Sequence, residues 1–165
     1  MSSPFRITPA TPQDVPLILD FIRELAEYER LAHEVTATEP LLHESLFGPG
    51  AVAHAVIART ESGDPAGLAL YFFNFSTFLG KPGLYLEDLF VRPPFRKQGL
   101  GRRLLAHLAR IAVDRGCGRM EWAVLDWNEQ ALRVYRAIGA TPMDEWTVQR
   151  LTGQALIDLA ATAER

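Results

Sequence analysis

Apolar residues at Ile18, Phe21, Ile22 and Leu25 recur at intervals of three and four, the spacing of one helical face, and predict a helix running to about Leu31. Thr11-Pro12-Gln13-Asp14 supplies its start, with Thr11 as N-cap, Pro12 at the first position and an acid at the third. A second helix is expected to open at Thr38, with Pro40 inside its first turn, and to end near Gly48. The pattern then changes to strands. Val52–Arg59 and Ala66–Phe75 flank the turn-rich link "ESGDP" and read as an antiparallel pair. After the loop "STFLGKPG" comes a third run, Leu84–Val91, stopped by "RPPF" because proline has no N–H for a sheet ladder.

Leu100, Leu104, Leu108 and Ile111 mark the core face of a long helix from about Gly99 to Arg115. Arg119–Leu125 reads as a strand, Asn128–Ile138 as a helix closed by Gly139, Trp146–Leu151 as a strand, and a last helix follows Thr152. With no repeat, linker or low-complexity tract, the 165 residues suit a single domain spanning 1–165. The order of elements predicts an α/β fold, a mixed central sheet with helices on both faces.

Charge changes this picture by being unevenly spread. The net charge is -3, yet Thr11 to Pro49 carries eight carboxylates against two arginines. Arg92 to Arg115 carries seven cations against Asp114. Such a chain can hold a cation at one place and an anion at another. A local basic cluster on an acidic chain, with no aromatic RNA motif, argues against nucleic acid as partner. One cysteine, Cys117, excludes an intramolecular disulfide framework. "MSSPFRITPA" has no apolar signal region and no run approaches a membrane span, so the expectation is a cytoplasmic protein without a membrane partner. His33, His43, His54 and His107 show no metal-ligand spacing, and no metal is expected.

The candidate chemistry begins at "RKQGLGRRLL" (Arg96–Leu105), where a strand, a short loop and a helix meet. Free N–H groups at a helix start, with the helix dipole behind them, attract an anion, and glycine lets a phosphate approach the backbone. Cations at this end oppose the dipole and are unfavourable there unless an anion is bound. A dinucleotide fingerprint would need glycine where Leu104 stands, and no G-x-x-x-x-G-K-[ST] string exists. What remains is Arg96-Lys97-Gln98-Gly99-Leu100-Gly101, the pattern [RQ]-x-x-G-x-[GA].

That turn resembles the pyrophosphate turn of the Gcn5-related N-acetyltransferases (GNAT), which bind acetyl-coenzyme A. "YLEDLFVRPPFRKQGLG", "AVLDWNEQALRVYRAIGA" and the early "ELAEYE" are together similar to the diamine and thialysine acetyltransferase branch of that family, in matching order over nearly the whole chain. The resemblance implies a GNAT fold in which Leu89, Phe90 and Val91 lend backbone groups to the pantetheine arm. Arg96, Lys97, Gln98, Gly99, Leu100, Gly101 and Arg102 would hold the diphosphate, and Asn128 and Ala131 would line the cofactor's exit side. Tyr135 matches the tyrosine that protonates the coenzyme A sulfur, and Glu87 matches the candidate base, acting through water. Tyr28 and Glu29 match amine-contacting positions, with Glu87, Glu145 and Trp146 as further substrate residues. A homodimer is implied by the branch.

Acetyl transfer to an amine needs an acid and a base. An ammonium of pKa ~10.4 must lose a proton before its nitrogen can attack, and the departing thiolate gains from receiving one. Glu87 and Asp88, as consecutive strand residues, are expected on opposite faces, which leaves Asp88 as a structural or rim acid. Ser76, Thr77 and Phe78 replace the acid and tryptophan of the polyamine-specific enzymes, favouring a thialysine-like or other small primary amine over a long polycation. Two alternatives stay open: a protein lysine or N-terminal acetyltransferase, and a non-catalytic acyl-coenzyme A sensor.

Overall fold

A computed structural model describes residues 4–163. Its sheet has five strands in sequential order: β1 (Phe5–Pro9), β2 (His54–Thr60), β3 (Pro65–Ser76), β4 (Lys81–Val91) and β5 (Met120–Trp122). The first four pair antiparallel and β5 joins β4 in parallel, so the sheet is mixed, as expected. Helices α1 (Val15–Tyr28), α2 (Glu39–Phe47) and α3 (Leu100–Asp114) belong to the same compact unit, which extends to Asn128. A second unit from Glu129 onward carries α4 (Glu129–Ala137) and α5 (Gly153–Ala161).

The two faces of the sheet are covered by different helices. Ala55 and Ile57 of β2, Leu68 and Leu70 of β3, and Phe90 of β4 bury against Ile18, Phe21 and Leu25 of α1 and Leu46 of α2. On the opposite face α3 lies so close that a Cβ on Gly67 would sit 3.3 Å from Leu104 Cδ1 and 3.4 Å from Leu100 Cδ2. Glycine at 67 is therefore a packing requirement. Any side chain there would push α3 off the sheet.

Four local features differ from the sequence reading. Phe5–Pro9 forms an edge strand that five residues of weak alternation do not announce; its ladder with β2 supplies the missing stabilisation. Helix α1 stops at Tyr28, short of Leu31, because Arg30 takes the left-handed conformation (φ 62°). The Leu31 N–H then donates to the Ala26 carbonyl at 2.8 Å, closing the helix end in the way glycine usually does. A non-glycine residue there costs about 1 kcal/mol. The segment Trp146–Leu151 is outside any sheet among the described residues. It is exposed, and the second unit contains no other strand with which it could form a ladder. The strand read at Arg119–Leu125 is present but shorter, paired only over Met120–Trp122.

Candidate active site

The site is built where β4 changes its partners. On one side β4 pairs with β3 in a register that shifts: Leu70 faces Asp88, and the next residue, Tyr71, faces Leu86. Glu87 has no opposite residue and forms a β-bulge. The alternation that would send Glu87 and Asp88 to opposite faces is interrupted at Glu87, so strict alternation no longer fixes the faces of the two acids. Asp88 shares the face of Leu70 and Phe90, toward α1. Burial, then the charges of Glu87 and Glu29, push its carboxyl up to about 6. Burial also raises Glu29. The charges of Glu87 and Glu29 thus reach Asp88, which is a candidate that the sequence reading set aside. Only the bulge reveals it.

On its other side β4 pairs with β5 over Leu84–Leu86 only. Beyond Leu86 the two strands part, so Glu87 to Val91 present one backbone edge without a strand partner among the described residues. The open edge includes Leu89, Phe90 and Val91, the residues expected to lend backbone groups to the pantetheine arm. The Val91 carbonyl is occupied by Arg96, whose Nε donates to it at 2.8 Å.

The chain then turns through Pro93–Phe95 into the glycine loop. Gly99, at φ 76°, is the N-cap of α3, and Lys97 also adopts a positive φ of 61°. The first intrahelical bond runs from the Arg103 N–H to the Gly99 carbonyl at 3.1 Å. The N–H groups of Leu100, Gly101 and Arg102 consequently point out of the helix start, and no side chain caps them. A Cβ on Gly101 would meet only Leu89 Cδ2, at 4.0 Å, so the protein's own packing does not require glycine there. The space left there would let a phosphate approach the backbone. The loop, its open glycine and its cations fit the diphosphate of an acyl-coenzyme A, with Arg96, Lys97 and Gln98 leading in and Gly99, Leu100, Gly101 and Arg102 forming the cradle.

Aromatic rings join this loop to the end of α1. The Arg96 guanidinium lies 5.0 Å from the Tyr28 ring centroid and 5.4 Å from that of Phe90. Tyr28 in turn lies 6.0 Å from Trp127, whose ring carries the Arg30 guanidinium at 5.5 Å. Below, Arg92 donates to Glu24 at 2.6 Å and covers Phe21 at 4.5 Å, fixing α1 against the end of β4. Tyr28, Glu29, Glu87 and the phosphate loop therefore share one unit and one end of the sheet. Asn128 closes that unit, its N–H donating to the Leu125 carbonyl at 2.9 Å.

The remaining candidates belong to the second unit. Ala131 and Tyr135 are one turn apart on α4, both half-buried, so they share a helix face. Helix α4 is closed by Gly139 (φ 87°) and by the Ala140 N–H, which donates to the Tyr135 carbonyl at 3.0 Å. Glu145 and Trp146 occupy the exposed connection to α5. Among the described residues, no group of three or more His, Cys, Asp or Glu side chains could hold a metal ion.

A mixed sheet whose fourth and fifth strands part beside a glycine-rich helix start defines a class of acyl-coenzyme A-dependent transferases. The sequence profile of the acetyltransferase (GNAT) family matches residues 18–140, and the chain belongs to that family. It is an acetyltransferase, of a family that uses acetyl-coenzyme A. It is 40% identical over 153 aligned residues to the thialysine N-epsilon-acetyltransferase of Bos taurus, covering 87% of this chain and 89% of that one. It is 36% identical to an L-ornithine N5-acetyltransferase of Arabidopsis thaliana, covering 92% and 86%. Among solved structures, an integron cassette protein of V. cholerae superposes with a TM-score of 0.79 at 28% identity, covering 98% of this chain and all of that one.

Proposed function

We propose that the protein moves an acetyl group from acetyl-coenzyme A onto the side-chain amine of a small amino acid of the thialysine or ornithine type. The observation that carries this reading is the bulge at Glu87. It turns Asp88 toward α1 on the strand whose other edge is open, where the charges of Glu87 and Glu29 reach it. Carboxylates there attract the acceptor's ammonium and take its proton. The two relatives named above are called after amines of this kind.

Acetyl-coenzyme A supplies the thioester. Glu87, directly or through water, receives the proton that the ammonium must lose, and Asp88 behind it is the more basic of ordinary carboxylates because of its raised pKa. The freed nitrogen lone pair forms the new C–N bond as the C–S bond breaks. Tyr135 gives its hydroxyl proton to the departing sulfur and is reprotonated by the second proton that the acylated nitrogen sheds. Leu89, Phe90 and Val91 bind the pantetheine arm along the open strand edge, and Asn128 and Ala131 flank its exit. Glu145 and Trp146 wall the acceptor. No metal takes part.

The working form in this reading is a cytoplasmic homodimer of single-domain subunits. Support comes from Trp146, Val148 and Leu151, which are 76%, 83% and 46% exposed on an extended segment without a ladder. A second copy would supply the missing strand partner, a reading that light scattering tests directly. Among the described residues no helix is long and apolar enough to cross a membrane.

The deciding experiment follows thiol release from acetyl-coenzyme A with thialysine, ornithine, lysine, polyamines and a lysine peptide as acceptors. Faster release with the amino acids than with polyamines or peptide is the expected result. Release no faster than hydrolysis for every acceptor, with acetyl-coenzyme A still bound, would leave a sensor as the better reading.

A further inference from the structure

The acidic pocket explains how an amine is attracted, yet an amino acid also brings a carboxylate that carboxylates repel. An acceptor of that kind needs a cation near the acids. Three arginines come close to this end of the sheet. Arg92 is committed to Glu24 and to the Pro65 carbonyl, at 2.6 and 3.2 Å. Arg96 is committed to the Val91 carbonyl and is covered by two rings. Arg30 has neither an ion pair nor a side-chain hydrogen bond among the described residues. Its guanidinium lies over the Trp127 ring, 5.5 Å from the centroid.

We infer that Arg30, held over Trp127, is the specificity-determining residue that binds the acceptor's α-carboxylate. This rests on the small-amine reading above and names the part of the acceptor that reading leaves unassigned. Its position is continuous with the site: Arg30 lies on Trp127, Trp127 on Tyr28, Tyr28 on Arg96, and Arg96 on Phe90, two residues along β4 from Asp88. The residue before Arg30 is Glu29, whose charge reaches Asp88. A cation–ring contact holds a guanidinium in place without using its N–H donors, which can then grip a carboxylate in a bidentate manner.

The backbone points the same way. Arg30 stands at the left-handed closing position of α1, where glycine would be free of strain. A cation near a helix C-terminus is favoured by the dipole, but that preference is met anywhere in the last turn. It does not explain an arginine at the strained position with its head on Trp127.

The test compares ornithine with 1,4-diaminobutane, the same molecule without the carboxylate, in the full-length protein and in Arg30→Gly and Arg30→Lys. Glycine suits the backbone, so Arg30→Gly is expected to fold with an unchanged or higher melting temperature. The ratio of kcat/KM for ornithine over the diamine should fall about tenfold, through KM, while Arg30→Lys restores part of it. An unchanged ratio in Arg30→Gly overturns the inference, as does a change confined to the KM for acetyl-coenzyme A. A wild-type protein that acetylates the diamine but not ornithine also overturns it. If it acetylates neither, nor any other amine, the small-amine reading itself has failed.

Discussion

Arg96 lies with its guanidinium 5.0 Å above the ring of Tyr28, so the glycine turn proposed to hold the diphosphate rests on the helix proposed to meet the acceptor. The contact couples two binding events through one pair of side chains. A cation–ring contact in a partly buried setting contributes about 1 kcal/mol. Arg96→Ala and Tyr28→Leu should each raise the KM for both acetyl-coenzyme A and amine by severalfold. The double variant should be less impaired than the product of the two effects, measured as a double-mutant cycle on kcat/KM.

Gly101 separates folding from binding. A Cβ there meets only Leu89 Cδ2, at 4.0 Å, and alanine is the better helix former by about 1 kcal/mol. Gly101→Ala should therefore raise the melting temperature while weakening acetyl-coenzyme A binding at least severalfold by calorimetry. A Gly99→Ala variant should instead lose stability, since φ is 76° at that position.

Asp88 should leave two marks on pH dependence. Burial and the charges of Glu87 and Glu29 raise its pKa from 3.8 to about 6 in the folded chain. Between these values the folded state binds the extra proton, so this group's contribution to stability falls as pH rises through that window. Asp88→Asn should then raise the melting temperature more at pH 7.5 than at pH 4. It should also lower kcat and shift the acid limb of kcat/KM, which in the wild type drops as pH falls through about 6.

Asp14 carries the opposite sign. Burial raises its pKa, but hydrogen bonds from the Thr11 N–H and hydroxyl and the Arg59 guanidinium at 2.6 Å outweigh it, and the net shift is downward. Its stabilising effect is present above the unfolded value of 3.8 and is lost as pH falls through the lower folded one. Asp14→Asn should destabilise the fold by about 1–3 kcal/mol at pH 7, with the difference shrinking below pH ~4, by denaturant unfolding.

Tyr135 tests the proton-donor role. Tyr135→Phe should lower kcat at least tenfold with little change in acetyl-coenzyme A affinity, because only the hydroxyl is removed. Equal losses in both would mark the tyrosine as a packing residue of α4.

Much of this was determined by sequence alone. The periodicity of Ile18, Phe21 and Leu25, the caps at Thr11 and Thr38, and the glycines at 99 and 101 act within a few residues, so helices α1 to α3 and the phosphate turn are legible without a fold. Strands were harder, because a ladder needs a partner that may lie far along the chain. Phe5–Pro9 becomes a strand only beside β2, and Trp146–Leu151 stays unpaired for want of a neighbour. The active-site acids show the same limit. Adjacency in sequence sends Glu87 and Asp88 to opposite faces; pairing with Leu70 and Tyr71 inserts a bulge at Glu87 and sets Asp88 on the face of Leu70. Register is a property of two strands at once, and so is the placement of Asp88 that depends on it. The glycine motif is local and can be read along the chain, whereas Arg30 and Trp127, far apart in sequence, meet only through tertiary structure.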